Sequence, residues 1–543
     1  MLCLSKIILK FVFEYGLMKS CMAGESHIDP IFGERPSRFA ERVGQAYADS
    51  SFHKDKKHKG QFFTPLAISE FMGGLATPSG KKALSVMDPG CGLAILSCAL
   101  IEHLVEKSKP EHVSLTLFET DKKVIPLAEC VLSYLKAWCE DRRVKLDYQL
   151  NDSDFVLEKC ECLDGADTIF GDLFGTEKYD YIISNPPYFK LAKDDVHTRS
   201  CASIVDGQTN IYALFMAICA KLLAEDGQMI FITPRSFASG RYFQSFRDFL
   251  FRHVRIDLIH LFNTRKDTFA KDEVLQELVI MRMLPAGNDS RITVSYSQGI
   301  SDLNCSYQKE YDAKDIVDVN STEKVVYLPV DGRDEAILGL FRSWDGNMEE
   351  YGIKISTGPV VAFRAYDYIM DEPGDDTVPL YWLHNVVKML CDHPVQKKDK
   401  GQYIKVAPET RSALLPNKNY VLIRRFSSKD DSSRLVAAPY FGNMSQHEFV
   451  GIENKLNYIY RPKGHLRRDE VMGLTALLDS EMFDAWFRTF NGNINVSATE
   501  LRMMPLPPIE TIREIGRKII LRNNYSIDFI NDLVLDYFKI QQK

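Results

Sequence analysis

The segment YDYIISNPPYFKL, residues 179–191, sets Asn185, Pro186, Pro187 and Tyr188 directly after an apolar, β-branched run. Proline cannot donate to a sheet ladder and biases the residue before it toward extended backbone. The strand must therefore stop here in a rigid loop whose carbonyls point in fixed directions. Asn185 adds a side-chain acceptor and Tyr188 an aromatic face, both at the C-terminal edge of a strand, where open α/β sheets bind ligands. A proline-rich turn with a capping Asn has the same composition, so the residues upstream have to decide. There, three more strand ends carry polar groups. VMDPGCGLAIL sets Asp88, Gly90 and Gly92 between a strand and a helix, and glycines let backbone N–H groups approach a ligand at the helix N-terminus. LTLFETD ends in Glu119, 29 residues after Gly90, the place of an acid that accepts both hydroxyls of a ribose. ADTIFGDLF offers Asp172, an acceptor suited to an adenine amino group, with Phe174 beside it to cover a ring. Singly, each acid also reads as a helix N-cap or a solvated loop carboxylate. In series before Asn-Pro-Pro-Tyr, they point to a site for a nucleoside-bearing ligand.

Such groups need a scaffold that gathers strand ends at one edge. From about residue 80 to 285, strand-like runs alternate with helical patterns, which predicts βαβ units and a doubly wound, Rossmann-like parallel sheet. TNIYALFMAICAKLLAEDGQMIFITP reads as a helix capped by Thr209 or Asn210 and ended at Gly227, followed by a strand. ELVIMRML, closed by Pro285, is a further strand. Residues 291–340 are polar and weakly periodic, a linker or domain edge, and the short segments beyond, rich in Gly, Pro and aromatics, predict a second, mixed α/β domain over 341–543.

The 543 residues are 45% hydrophobic and 26% charged, values of a globular chain with two or three domains. Twelve cysteines include one C-x-C pair, Cys160 and Cys162, and no Cys/His cluster at zinc spacing. They read as small buried hydrophobes in a reducing cytoplasm, and neither a disulfide nor a metal is expected. The start, MLCLSKIILKFVFEYGLMKSCMAG, looks mildly like a signal peptide, but Lys10 and Glu14 interrupt its apolar stretch. It reads as an amphipathic helix or as an extension upstream of a start at Met18 or Met22. No run of about 18 apolar residues exists elsewhere, so no membrane span is expected. Net charge is −7, yet residues 391–470 hold 15 Lys and Arg against 9 Asp and Glu, leaving −13 for the remainder. A basic segment on an acidic chain suits a polyanion as well as a plain solvated face.

The ordered set GQFFTP (60–65), DPGCGLAIL, FETD, GDLF, SNPPY and KDEVLQELVIM resembles the motifs of the gamma-class N6-adenine DNA methyltransferases of bacterial restriction-modification systems. STGPVVAFR, GIENKLNYIYR and FNGNINVSATELRMMPLPP resemble the recognition domains of Type II modification enzymes that read short palindromes. The resemblance implies an N-terminal helical segment (1–55), an S-adenosylmethionine-dependent catalytic domain (56–290) and a DNA target-recognition domain (341–543). Thr64 and Pro65 would contact the methionine end of the cofactor, with Asp88, Gly90 and Gly92 around the same end. Glu119 would hold the ribose, and Asp172, with Phe174, the cofactor adenine. Asn185, Pro186, Pro187 and Tyr188 would hold the target adenine, with Phe269 on its other face or, alternatively, in the core. The family's later glycine in the first loop is Ala94 here, a departure expected to tighten the helix start and weaken cofactor binding.

The amino group of adenine is a poor nucleophile because its lone pair is delocalised into the ring. If the Asn185 side-chain oxygen and the Pro186 carbonyl each accept one N–H, the nitrogen moves toward a pyramidal geometry with its lone pair free to attack. The resemblance also implies double-stranded DNA as partner, a monomer, and a separate restriction endonuclease of the same specificity. A protein-glutamine methyltransferase could use the same loop but leaves no work for a basic second domain, and RNA methylation by the same loop is a further alternative. A non-catalytic DNA-binding protein would not need the intact loop. Only about 55 residues precede GQFFTP, too few for a nuclease domain.

Overall fold

The computed structural model describes residues 21–23, 26–49, 63–164, 177–205, 207, 209–262, 278–287, 291–303, 307–317, 319, 322–329, 331–427, 432–491 and 495–540. The expectations for Asp172, Phe174 and Phe269 fall outside these residues. Two compact units emerge. The first takes Met1–Phe237 and Arg241–Val326, the second Ala238–Gly240 and Tyr327–Lys543.

The first unit is built on a nine-stranded sheet. Its strands are β1 (Ala83–Pro89), β2 (His112–Phe118), β3 (Lys145–Asn151), β4 (Tyr179–Ser184), β5 (Leu223–Pro234), β6 (Val254–Phe262), β7 (Leu278–Pro285), β8 (Arg291–Ser297) and β9 (Tyr307–Asp312), in the spatial order β9-β8-β6-β7-β5-β4-β1-β2-β3. The five strands from β3 to β5 in that order are parallel, and β7 is antiparallel to both of its neighbours. This is the mostly parallel α/β sheet expected from the alternating pattern. The chain runs outward through β1, β2 and β3, then returns to place β4 on the other side of β1. The gap between β1 and β4 is thus a topological switch point, where the connections diverge and leave a crevice. Register aligns the strand ends along it: Pro89 pairs with Phe118, and Ser184 with Phe231.

Helices α1 (Pro36–Asp49), α2 (Leu66–Gly74), α3 (Ile95–Lys107) and α4 (Ile125–Glu140) pack in one group. The buried Glu102 of α3 ties α1 to it, accepting from the Ser37 backbone N–H at 2.7 Å, the Ser37 hydroxyl and the Arg35 guanidinium. Between β3 and β5 lie α5 (Phe155–Lys159), α6 (Val196–Ser200) and α7 (Ile211–Leu222), and α8 (Gln244–His253) packs on α7. Asn210 is the cap of α7, its side chain accepting from Tyr212 N–H. The helix stops at Leu222 rather than at Gly227, which lies inside β5, where a Cβ would meet the Tyr179 and Ala224 carbonyls. Residues 291–312, read above as linker or domain edge, carry the last two strands at one edge of the sheet, β8 and β9. Their polar texture has a packing cause: Ser295 and Ser297 of β8 face His260 of β6 and hydrogen-bond both of its ring nitrogens, at 2.9 and 3.1 Å.

The second unit holds a four-stranded sheet, ordered Lys354–Thr357, Leu456–Tyr460, Tyr420–Arg424 and Ala437–Tyr440, and a five-stranded one centred on Thr377–Tyr381. Tyr381, Tyr420, Leu422, Tyr440 and Ile452 share one apolar core. Two helices, α9 (Arg468–Asp479) and α10 (Ile509–Arg522), cross at glycines: a Cβ on Gly473 would stand 1.9 Å from the Ile512 carbonyl oxygen, and one on Gly516 1.9 Å from that of Asp469. Backbone cannot give way as a side chain can. Gly473→Ala is therefore expected to cost about 3 kcal/mol in the second unit, read as a lowered denaturant midpoint. An unchanged midpoint would refute the close crossing. Among the described residues no helix is long and apolar enough to cross a membrane, and no three His, Cys, Asp or Glu side chains converge as metal ligands do.

Candidate active site

A cavity of about 410 Å³ opens at the switch point, within the size range of ligand pockets. The β1 loop contributes Gly90 and Gly92, the end of β2 Phe118 and Glu119, and the loop after β4 the whole of Asn185, Pro186, Pro187 and Tyr188. Phe63, Asp154, Phe155 and His197 complete much of the wall.

The β1 loop turns through positive φ at Gly90 (73°), Gly92 (54°) and Ala94 (59°). A Cβ on Gly90 or Gly92 would make only ordinary contact with Phe215 or Phe63, so the positive φ rather than space is what favours glycine there. Ala94 adopts the left-handed conformation at a cost of about 1 kcal/mol, so the turn forms with alanine in place of the family glycine. Asp88, at the end of β1, is fully buried. One oxygen accepts the Ser97 hydroxyl at 2.6 Å, and the other, Oδ1, has no hydrogen-bond partner. Burial pushes its carboxyl up to about 7, so a cationic ligand group beside it would recover the charged form and satisfy the orphaned oxygen. Glu119 is nearly buried, which raises its pKa, and two backbone donors oppose that rise: Gly92 N–H at 3.0 Å and Asp121 N–H at 2.8 Å. Both of its oxygens are thereby fixed as acceptors. An orphaned carboxylate oxygen, a pinned Glu and a glycine turn together fit the S-adenosylmethionine expected from the sequence.

At the other end, the Asn185 side chain is held from two sides. Its Nδ2 donates to the Thr64 hydroxyl at 3.0 Å, and its Oδ1 accepts from the Tyr188 hydroxyl, which also lies 2.9 Å from the Ile232 carbonyl oxygen. These contacts fix which way the amide faces. Thr64, expected at the methionine end of the cofactor, is buried against Asn185, while Pro65 caps α2 and does not line the cavity. The Tyr188 ring packs edge-on to Tyr212 at 6.2 Å, and its burial raises the hydroxyl well above its usual pKa, so it stays a donor.

Asp154, Phe155 and His197 are among the wall residues that escaped the sequence reading. Asp154 follows β3, caps α5 by accepting from Leu157 N–H at 3.0 Å, and also accepts from His197 Nε2 at 3.0 Å. Phe155 packs on Phe118 at 5.2 Å and Phe215 at 5.0 Å. The acid-then-Phe signal in NDSDFVLEK was legible, but β3 (KLDYQLN) is an edge strand whose polar residues mask it.

Residues 111–269 match the family model described as Eco57I restriction-modification methylase. Over 469 residues the chain is 31% identical to the Type II methyltransferase M.BsuBI of Bacillus subtilis, an overlap of 86% of this chain and 91% of that protein. It is 28% identical to the Type II methyltransferase M.PstI of Providencia stuartii, over 87% of this chain and 92% of that one. The fold is similar to that of the Type IIL restriction-modification enzyme MmeI, solved in complex with DNA, with a TM-score of 0.52 and 12% identity over 92% of this chain and 79% of that chain.

Proposed function

Since the chain belongs to the Type II restriction-modification DNA methyltransferases, we propose that it methylates the N6 amino group of adenine in a short palindromic duplex site. The carrying observation is the Asn185 side chain, held by Thr64 and Tyr188 at the C-terminal edge of β4 beside the Pro186 backbone. Asn185 and the Pro186 carbonyl each accept one hydrogen of the target amine, which frees its lone pair. Because both acceptors are fixed before substrate arrives, little ordering remains for the transition state. When bound, S-adenosylmethionine would supply the electrophilic methyl group, its S–CH₃ bond breaking to leave a thioether, and the amine proton passes to solvent. Glu119 holds the ribose hydroxyls, Asp88 the ammonium end, and Asp154, which lines the same cavity as Glu119, takes the role for the cofactor adenine that the sequence suggested for Asp172. Tyr188 and Phe269 hold the flipped base, which offsets part of the few kcal/mol that unstacking costs. The second unit, with its basic 391–470 segment, reads the DNA sequence.

The test is sequencing of DNA from cells that express the protein, with detection of N6-methyladenine. One modified motif is expected, and methylcytosine in its place would overturn the adenine assignment. With one such site per chain, we further expect a monomer that methylates one strand per encounter and a separate cognate endonuclease that the methyl group blocks in the major groove. Hemimethylated duplex should then be used about as fast as unmodified duplex in methylation time courses. A hemimethylated site that is hardly used, or a tight dimer on DNA in sedimentation, would overturn this reading.

A further inference from the structure

His197 is a side chain to which the chemistry above gives no role. The chain leaves the Asn-Pro-Pro-Tyr loop, makes a closed excursion from 191 to 209, and returns to α7. Its base is pinned by Leu191 N–H to Thr209 O at 2.9 Å and Ile211 N–H to Phe189 O at 3.1 Å. Midway along, α6 presents His197 to the cavity wall. The imidazole is bracketed by carboxylates, with Nδ1 2.7 Å from Asp195 of its own segment and Nε2 3.0 Å from Asp154 at the end of β3. A carboxylate only accepts, so the ring fills both bonds as the doubly protonated imidazolium.

We propose that His197 is a positioning residue that ties the segment after Asn-Pro-Pro-Tyr to Asp154, holding that carboxylate in place for the cofactor adenine and closing the wall over it. The proposal rests on the reading of this cavity as the S-adenosylmethionine site. It is local and geometric: Asp154 has one oxygen on Leu157 N–H and the other on His197, so both are oriented and each keeps a lone pair for the cofactor amino group. Without His197, the Asp154 carboxylate can turn to water and the excursion loses this tie. Charge reinforces the tie. Burial works against the imidazolium, but the two carboxylates outweigh it and raise its pKa. The other charged groups of the two helices that meet here are Glu158 and Lys159 of α5, which pair with each other at 3.3 Å while Glu158 also takes the Ser153 hydroxyl, and Arg199 of α6, which acts on Asp195. Asp154 and Asp195 therefore dominate. The tie is present below the raised histidine pKa and is lost as pH rises through it.

The experiment measures S-adenosylmethionine binding by calorimetry to the full chain, from pH 6.5 to 9, for the parent, His197→Ala, His197→Gln and Glu119→Ala. In parallel, trypsin cleavage after the exposed Lys193 and Arg199 is followed without any ligand. Because Asp88 also titrates near neutrality, the informative quantity is the ratio of variant to parent dissociation constants. For His197→Ala the ratio should be about tenfold at pH 6.5 and fall toward one by pH 9, with faster cleavage of the unliganded segment. His197→Gln, which keeps one donor and no charge, should fall between and carries the test if the Ala variant misfolds. If Glu119→Ala binds poorly while His197→Ala stays within twofold of the parent at pH 6.5, the tie is refuted and the site stands. A ratio that is large but independent of pH leaves His197 a merely structural residue and also refutes it. If Glu119→Ala binds normally, the cofactor site itself is misassigned and the inference falls with it.

Discussion

Asn185→Ala will lower methyl transfer by about 10²–10³-fold while S-adenosylmethionine affinity stays within a few-fold of the parent. The loss belongs to the transition state. The amine keeps its hydrogens on water or on one carbonyl in the ground state, but pyramidal nitrogen needs both acceptors in place at once. Alanine removes one, and also leaves the buried Thr64 and Tyr188 hydroxyls without the amide that organises them. Cofactor affinity is spared because losing the amide removes bonds to Thr64 and Tyr188, while the Glu119 and Asp88 carboxylates keep their partners Gly92, Asp121 and Ser97. Single-turnover methylation of a duplex oligonucleotide, with calorimetry for the cofactor, separates the two quantities. A variant that keeps more than half the parent rate would remove Asn185 from the chemistry.

Glu119→Ala should weaken S-adenosylmethionine binding by about 100-fold or more. Two hydrogen bonds from ribose to a buried carboxylate are each worth about 1.5–3 kcal/mol, and every 1.4 kcal/mol is tenfold in affinity. The same change strips Gly92 N–H and Asp121 N–H of their acceptor. The conservative Glu119→Gln should fare little better. Each of its two head atoms faces at least one backbone donor, Gly92 N–H or Asp121 N–H, so whichever way the amide lies, its NH₂ group meets an N–H. Calorimetry on both variants decides, and a Gln variant that binds like the parent would show that the pinned carboxylate is not the ribose acceptor.

What the sequence determined by itself is what backbone stereochemistry dictates within a few residues. Two prolines after a β-branched run end a strand wherever it lies in the fold, glycines at 90 and 92 permit the positive-φ turn found there, and Glu119 closes an apolar strand. Parallel strands joined by helices bring such ends to one edge, so the Asn-Pro-Pro-Tyr loop, the glycine turn and the Glu119 carboxylate meet in the cavity. What tertiary structure decided is which distant groups face them. Thr64 reaches Asn185 across 121 positions, and His197 reaches Asp154 across 43. Strand β3 lies at the edge of the sheet and β8 buries serines against a histidine, so neither carries the continuous apolar pattern that marks a central strand. Local sterics are written in neighbouring residues. Partners across a sheet are set by strand order and register, which no short stretch of sequence contains.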